Sequence, residues 1–328
     1  MLASGAVEHP GGERVHKSEI VVVTGGLGFI GKHFVRRCLA DGRMVKNFDL
    51  ISYAADHAVR REFEEHRNYR FTQADIRTLN FLPECDVLVN FAAESHVDNA
   101  ITSAHEFCTT NVLGLQNLLE LTRRKPPHER PLFIQISTDE VYGDIREGSH
   151  SEHDMLVPSN PYSATKAAAD MLVKSWGRTY GLRWNIVRPA NNYGTHQYPE
   201  KLIPKSCWRM KRGQPAIMHG DGSYVRAWLH VEDTVEAVLA VIEKGVSGTI
   251  YNVGGSIELR NIDVLRTIAK ILQIAEDKAW IAVEDRSGQD VRYSLDDRCL
   301  RALGWQPTRE FHEQLPSIVG SLDVSRFS

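Results

Sequence analysis

Two acids stand side by side, Asp139 and Glu140, in the stretch "IQISTDEVYG", where a run suited to a buried strand should end. Adjacent like charges favour protonation of one member, so such a couple can divide into a proton donor and a proton acceptor. Tyr162 and Lys166 follow at i and i+4 in "NPYSATKA", a spacing that places both on one face of a helix. An ammonium beside a phenol is expected to lower the phenol's pKa, letting Tyr162 take a proton from a hydroxyl near neutral pH. Thr138, at the C-terminal end of the strand, can hydrogen-bond the same hydroxyl. Each feature has a plainer reading: Asp139 capping a turn, Glu140 in solvent, and a surface Tyr/Lys pair.

A second group could hold phosphates. "TGGLGFIG" follows an apolar strand and opens a helix, with Gly25 for a tight turn, Gly28 for close approach to a pyrophosphate and Gly31 for packing of helix on strand. Asp49 ends the next strand, roughly 20 residues on, where an acid holds adenosine ribose hydroxyls and repels a 2′-phosphate. The expected cofactor is therefore NAD rather than NADP, with Lys166 also reaching the nicotinamide ribose.

These residues need a scaffold, and the chain alternates short β-branched runs with helical stretches from Glu19 onward. "EIVVVTG", "MVKNFDL", "DVLVNFAAE", "PLFIQIST" and "LRWNIVRP" read as strands. "FIGKHFVRRCLADG", "TTNVLGLQNLLELTRR" and "PYSATKAAADMLVKSWGRTYG" read as helices. Such alternation predicts an α/β fold, a Rossmann-type doubly wound parallel sheet with helices on both faces. The expected division is a disordered tail over 1–17, a nucleotide-binding domain over 18–190 with a returning strand near 249–254, and a smaller, mainly substrate-binding domain over 191–328. Loops are expected from Asn191 to Gly222, then helices near Val231–Lys244 and over "NIDVLRTIAKILQ".

Composition narrows the class. Hydrophobic residues at 42 % and charged residues at 25 % suit a globular protein, and a net charge of -3 offers no field for nucleic acid or anionic membrane. No apolar run reaches about 18 residues, so no membrane span is expected. Five scattered cysteines without a CxxC pair suit a reducing cytoplasm, and fourteen histidines show no HxxxH or HExxH spacing, so no metal site is expected.

The motifs resemble the extended short-chain dehydrogenase/reductase family. "STDEVYGD", "FAAESHVD", "NPYSATKA", "NNYG" followed by "PEKLIP", "GDG" with "VRAWLHVED", and "DRSGQDVRYSLD" are similar within it to the dTDP-glucose 4,6-dehydratases, over roughly Glu19 to Trp305. The resemblance implies an NAD-dependent nucleotide-sugar 4,6-dehydratase acting on an NDP-hexose, with Tyr162 the base at the C4 hydroxyl, Glu140 the base at C5 and Asp139 the acid at C6. It further implies that Phe29 and Ile30 line the pyrophosphate turn and that Asp75 and Ile76 flank the adenine. Ala92, Ala93, Thr110 and Asn192 would contact the cofactor. Ser95, Asn191, Lys201, Leu202, Arg226, Asn261, Arg286 and Asp290 would contact the nucleotide sugar, Arg226 at its diphosphate. A homodimer is implied as well. Gln289, His219 and Ala227 depart from the family's usual histidine, tyrosine and acid. A 4-epimerase or decarboxylase of the same family, or a catalytically silent NAD-binding scaffold, are the competing expectations.

Overall fold

The structure is a computed structural model that describes residues 19–285 and 288–324. The tail expected over 1–17, and Arg286, lie outside the described residues. Among the described residues, twelve strands run in chain order: β1 Ile20–Thr24, β2 Met44–Asp49, β3 Tyr69–Gln73, β4 Val87–Asn90, β5 Leu132–Ile136, β6 Trp184–Pro189, β7 Asn191–Tyr193, β8 Ala216–His219, β9 Val225–His230, β10 Thr249–Val253, β11 Ile257–Arg260 and β12 Trp280–Val283. Seven form one parallel sheet in the order β10-β6-β5-β4-β1-β2-β3. The chain runs outward from β1 through β2 to β3, then returns to β4 on the other side of β1. That reversal opens a crevice at the strands' carboxyl ends, where ligands of doubly wound sheets bind.

Both sheet faces are covered, which is why the strands read as continuous apolar runs. On one side Phe34, Val35 and Cys38 of the helix Phe29–Ala40 pack with Val235, Val238 and Val241 of the helix Val231–Lys244. On the other, Leu115, Leu118 and Leu119 of Leu115–Arg124 meet Ala169 and Val173 of Pro161–Tyr180. The latter helix carries the tyrosine, and its start is fixed locally. Asn160 accepts the Ser163 amide, Ser163 answers with its hydroxyl, and Pro161 occupies the first turn.

A third core joins Tyr193, Ile203, Met210, Trp228, Val264 and Phe311 beneath two small sheets, β11-β9-β7 and β12-β8. Here the expected loops from Asn191 to Gly222 give way to β7, a helix Leu202–Lys211 and β8. Ile203, Cys207 and Met210 recur at i, i+4 and i+7 and bury one stripe, a helical signal inside Pro- and Gly-rich surroundings. β3, β12 and the helix Phe311–Ser321 also fall outside the expected elements. The helix expected from Thr109 is wound as a π-helix over Cys108–Gly114 before becoming regular at Leu115. The strand expected over "DVLVNFAAE" ends at Asn90, freeing Phe91 to Ser95 as a loop at the crevice.

Candidate active site

The crevice is a cavity of about 580 Å³ whose lining runs from Gly25, Gly28, Phe29, Ile30 and Asp49 to Thr138, Asp139, Tyr162 and Lys166. At the nucleotide end, Gly25 takes φ 73°, and a Cβ on Gly31 would stand 2.2 Å from the Gly25 carbonyl oxygen. The turn therefore accepts only hydrogen at these positions. No side chain caps the start of Phe29–Ala40, leaving its first amides to face the cavity as an anion site. Asp49 accepts from the amides of Leu27 at 2.9 Å and Ile51 at 2.8 Å, which fixes the carboxylate at the mouth of the turn. Burial raises its pKa, partly offset by those two amides.

Asp75, Ile76, Ala92, Ala93, Thr110 and Asn192 line the same cavity. Thr110 lies in the π-wound turn, which also turns Asn111 inward to bond both the amide and the carbonyl of Glu94. Asn192 reaches the wall with its amide already held by the Ala190 carbonyl and the Thr234 hydroxyl. These residues fit a dinucleotide: a bare phosphate cradle, a fixed acid beyond it and an apolar wall.

At the other end β5 delivers Thr138 in extended conformation, and a single 3-10 turn, Asp139–Tyr142, follows. Thr138 Oγ1 accepts the Glu140 amide at 3.2 Å and donates to Asp139 Oδ1 at 3.1 Å. Asp139 is 3 % exposed, and its Oδ2 has no hydrogen-bond partner among the described residues. Burial, then the Glu140 charge, pushes Asp139 up to about 7, a carboxyl poised to give a proton near neutrality. Asn160 donates to Glu140 Oε2 at 3.3 Å, tying the second acid to the cap of the tyrosine helix.

Tyr162 and Lys166 are buried on that helix, Lys166 donating to the Ile136 carbonyl at 2.6 Å. The expected lowering of the phenol by the ammonium is not what the fold produces. Burial, then Glu140 and Asp139, raise the Tyr162 pKa, with the Thr138 hydroxyl opposing. Lys166 faces a backbone carbonyl, and burial lowers it to about 8.

Ser95, Asn191, Lys201, Leu202, Arg226, Asn261 and Asp290 also line the cavity. Asn191 Nδ2 and Asn261 Oδ1 are buried without partners among the described residues, as is Nε1 of Trp228. Buried polar atoms left open in one cavity mark places for ligand atoms. Arg226 lies 4.5 Å over the Tyr293 ring and donates to the carbonyls of Val225 and Asp290. The Asp290 carboxylate accepts from Ser159 and Tyr293, so it braces the wall through those hydroxyls. Trp228, Tyr293 and Asn160 went unmarked as site residues; only Asn160, an Asn-Pro pair opening a helix, carried a local signal.

The model of the GDP-mannose 4,6 dehydratase family matches residues 22–318. The chain is 43 % identical over 304 residues to the low-salt glycan biosynthesis protein Agl12 of Haloferax volcanii, covering 91 % of this chain and 97 % of that one. It is 41 % identical over 325 residues to dTDP-glucose 4,6-dehydratase of Neisseria meningitidis, covering 91 % and 92 %. Among solved structures, DesIV, a dTDP-glucose 4,6-dehydratase of Streptomyces venezuelae with NAD and TYD bound, superposes with a TM-score of 0.88 at 38 % identity, over 92 % of this chain and 96 % of that one.

Proposed function

The chain belongs to the GDP-mannose 4,6 dehydratase family and is an NAD-dependent nucleotide-sugar 4,6-dehydratase; from that premise we propose that its substrate is dTDP-glucose, converted to the 4-keto-6-deoxy sugar. The observation that carries the dehydration is the buried Asp139, held near 7 with an open Oδ2, beside Glu140 in the cavity of Tyr162; the thymidine base is supported by similarity to dTDP-glucose 4,6-dehydratases.

What NAD supplies when bound is a store for one hydride, taken from C4 and returned to C6, and a positive ring that favours the Tyr162 phenolate. Gly25, Gly28, Phe29, Ile30 and Gly31 would cradle its pyrophosphate and Asp49 its adenosine ribose. Tyr162 takes the proton of the C4 hydroxyl, with Thr138 orienting that oxygen. The resulting C4 ketone acidifies C5, and Glu140 removes the C5 proton as general base. Asp139 protonates the C6 hydroxyl, which leaves as water, and Glu140 returns its proton to C5 as C6 receives the hydride. Exchange with solvent moves one proton from Tyr162 to Asp139 and resets the site, so the net change is loss of water. Arg226 would bind the diphosphate, with Ser95, Asn191, Lys201, Leu202 and Asn261 around the remaining polar groups.

We infer a cytoplasmic enzyme, from five scattered cysteines without a CxxC pair, that works as a homodimer. Leu113 on the π-wound turn, and Met171 and Tyr180 on the tyrosine helix, are exposed apolar residues on sheet-flanking helices that a second copy would cover. None of the helices among the described residues is long and apolar enough to cross a membrane.

Incubation with dTDP-glucose, followed by alkali, should develop the ultraviolet absorbance of a 4-keto-6-deoxy sugar. Recovery of the C4 epimer in its place would overturn the dehydratase chemistry. Turnover of UDP-glucose but not dTDP-glucose would overturn the assigned base alone.

A further inference from the structure

The carboxylate that the proposed reaction uses at C5 hangs on one contact. Among the described residues a single hydrogen bond reaches the Glu140 carboxylate, from Asn160 Nδ2 to Oε2 at 3.3 Å. The main chain of Glu140 is held separately, its amide donating to Thr138 Oγ1 at 3.2 Å. Asn160 is itself buried at the cavity wall and immobilised. Its Oδ1 accepts the Ser163 amide at 3.0 Å, its own amide donates to the Ser163 hydroxyl at 3.2 Å, and Pro161 fixes the first turn of the helix. An amide donor on one side and a carboxylate on the other demand the same orientation of the Asn160 side chain. Ser and Asp cap a helix as well as Asn does, but neither sets an N–H donor on a second atom beside the capping oxygen. The helix start alone does not call for that donor; the neighbouring carboxylate does.

We propose that Asn160 is a positioning residue for the elimination: it fixes Glu140 relative to Tyr162, so that the bases for C4 and C5 share one anchor. This rests on the reading of Glu140 as the C5 base. The two protons to be removed belong to adjacent carbons, so their acceptors must keep one separation through successive steps. Oδ1 of Asn160 sets the start of the helix that carries Tyr162 two residues on, and Nδ2 sets the rotation of the Glu140 carboxylate, leaving Oε1 to meet the C5 proton. Thr138 does not replace it, because a bond to the Glu140 main chain leaves the side-chain torsions free. A glutamate without the Asn160 contact would have to be ordered at each turnover, at a cost in side-chain entropy that falls on the elimination and not on the oxidation.

The test follows reduced nicotinamide absorbance after rapid mixing of the NAD-loaded, full-length protein with dTDP-glucose, or with UDP-glucose if the parent turns over only that. The rise reports C4 oxidation, and the decay reports elimination with hydride return. Asn160→Ser keeps a capping oxygen and removes the amide donor; its rise should match the parent while its decay slows about tenfold, so reduced nicotinamide accumulates. Asn160→Asp keeps the shape and the cap but sets a second carboxylate against Glu140. It should slow the decay at least as much, and it carries the test if Asn160→Ser does not fold. In a Glu140→Gln background, Asn160→Ser should slow the decay no further. A parental decay, a rise and decay slowed alike, or an undiminished effect in the Glu140→Gln background overturns the proposal. Normal turnover by Glu140→Gln would withdraw the base assignment and this proposal together, whereas stalled Glu140→Gln with a parental decay in Asn160→Ser would overturn this proposal alone.

Discussion

Asp139 and Glu140 occupy one short turn, yet the first is buried at 3 % exposure and the second reaches the cap of the neighbouring helix. Desolvation falls on Asp139, so it is the member that holds a proton. The folded protein raises its pKa from 3.8 to about 7, so its contribution to stability is complete below the unfolded value and is lost as pH rises through about 7. Asp139→Asn cannot ionise and should melt higher than the parent at pH 8, by an amount on the order of 4 kcal/mol, with little difference at pH 4. Thermal melts at the two pH values check this; an equal change at both would refute it. In activity the sign is the same: elimination, which needs protonated Asp139, should decline as pH climbs through about 7. Tyr162→Phe should cost about 10²–10⁴ in turnover through loss of the C4 base. Glu140→Gln should still oxidise C4 but stall, so reduced nicotinamide absorbance should rise and persist after mixing with substrate. Normal turnover by Glu140→Gln would reassign the base.

The elements do two jobs: they bare a helix start at the cavity and they aim a helix face at a strand end. Gly31 serves the first. A Cβ there meets the Gly25 carbonyl oxygen at 2.2 Å, so Gly31→Ala must displace the turn proposed to receive the pyrophosphate. Purified Gly31→Ala should retain far less NAD than the parent, measured by absorbance after acid release; unchanged NAD content would mean the turn yields cheaply. This part was legible, because strand, glycine turn and helix are contiguous and each residue acts locally. The helix Leu202–Lys211 was equally local, yet the Gly- and Pro-rich flanks outweighed its Ile203, Cys207 and Met210 stripe. β8 and β12 are four residues each and pair across some 64 positions, too short for periodicity to show and too distant for spacing to link.

Across the whole molecule the cavity draws on both the large sheet and the C-terminal layers, since Gly28, Glu140, Arg226 and Asn261 share its wall. Ligand binding should therefore stabilise the folded chain as a unit. A true nucleotide sugar at about 100 times its Kd should add about 2.7 kcal/mol, and a panel of dTDP-, UDP- and GDP-sugars in a thermal melt would rank the bases. dTDP-glucose should give the largest rise; a larger one from another base would reassign the nucleotide.

Residue types and short spacings determined the Rossmann-type architecture and the glycine turn and marked Thr138, Asp139, Glu140, Tyr162 and Lys166, which line one cavity, because strand, turn and helix signals and i, i+4 pairs are local properties of a chain. Tertiary structure decided which groups meet from afar and what burial does to them. It set Tyr293 and Asp290 behind Arg226, left Asn191, Asn261 and Trp228 with polar atoms open among the described residues, and paired the buried Asp170 with Arg188. It also reversed the expected shift of Tyr162, since the cost of charge in a dry interior depends on depth and neighbours, which only packing supplies.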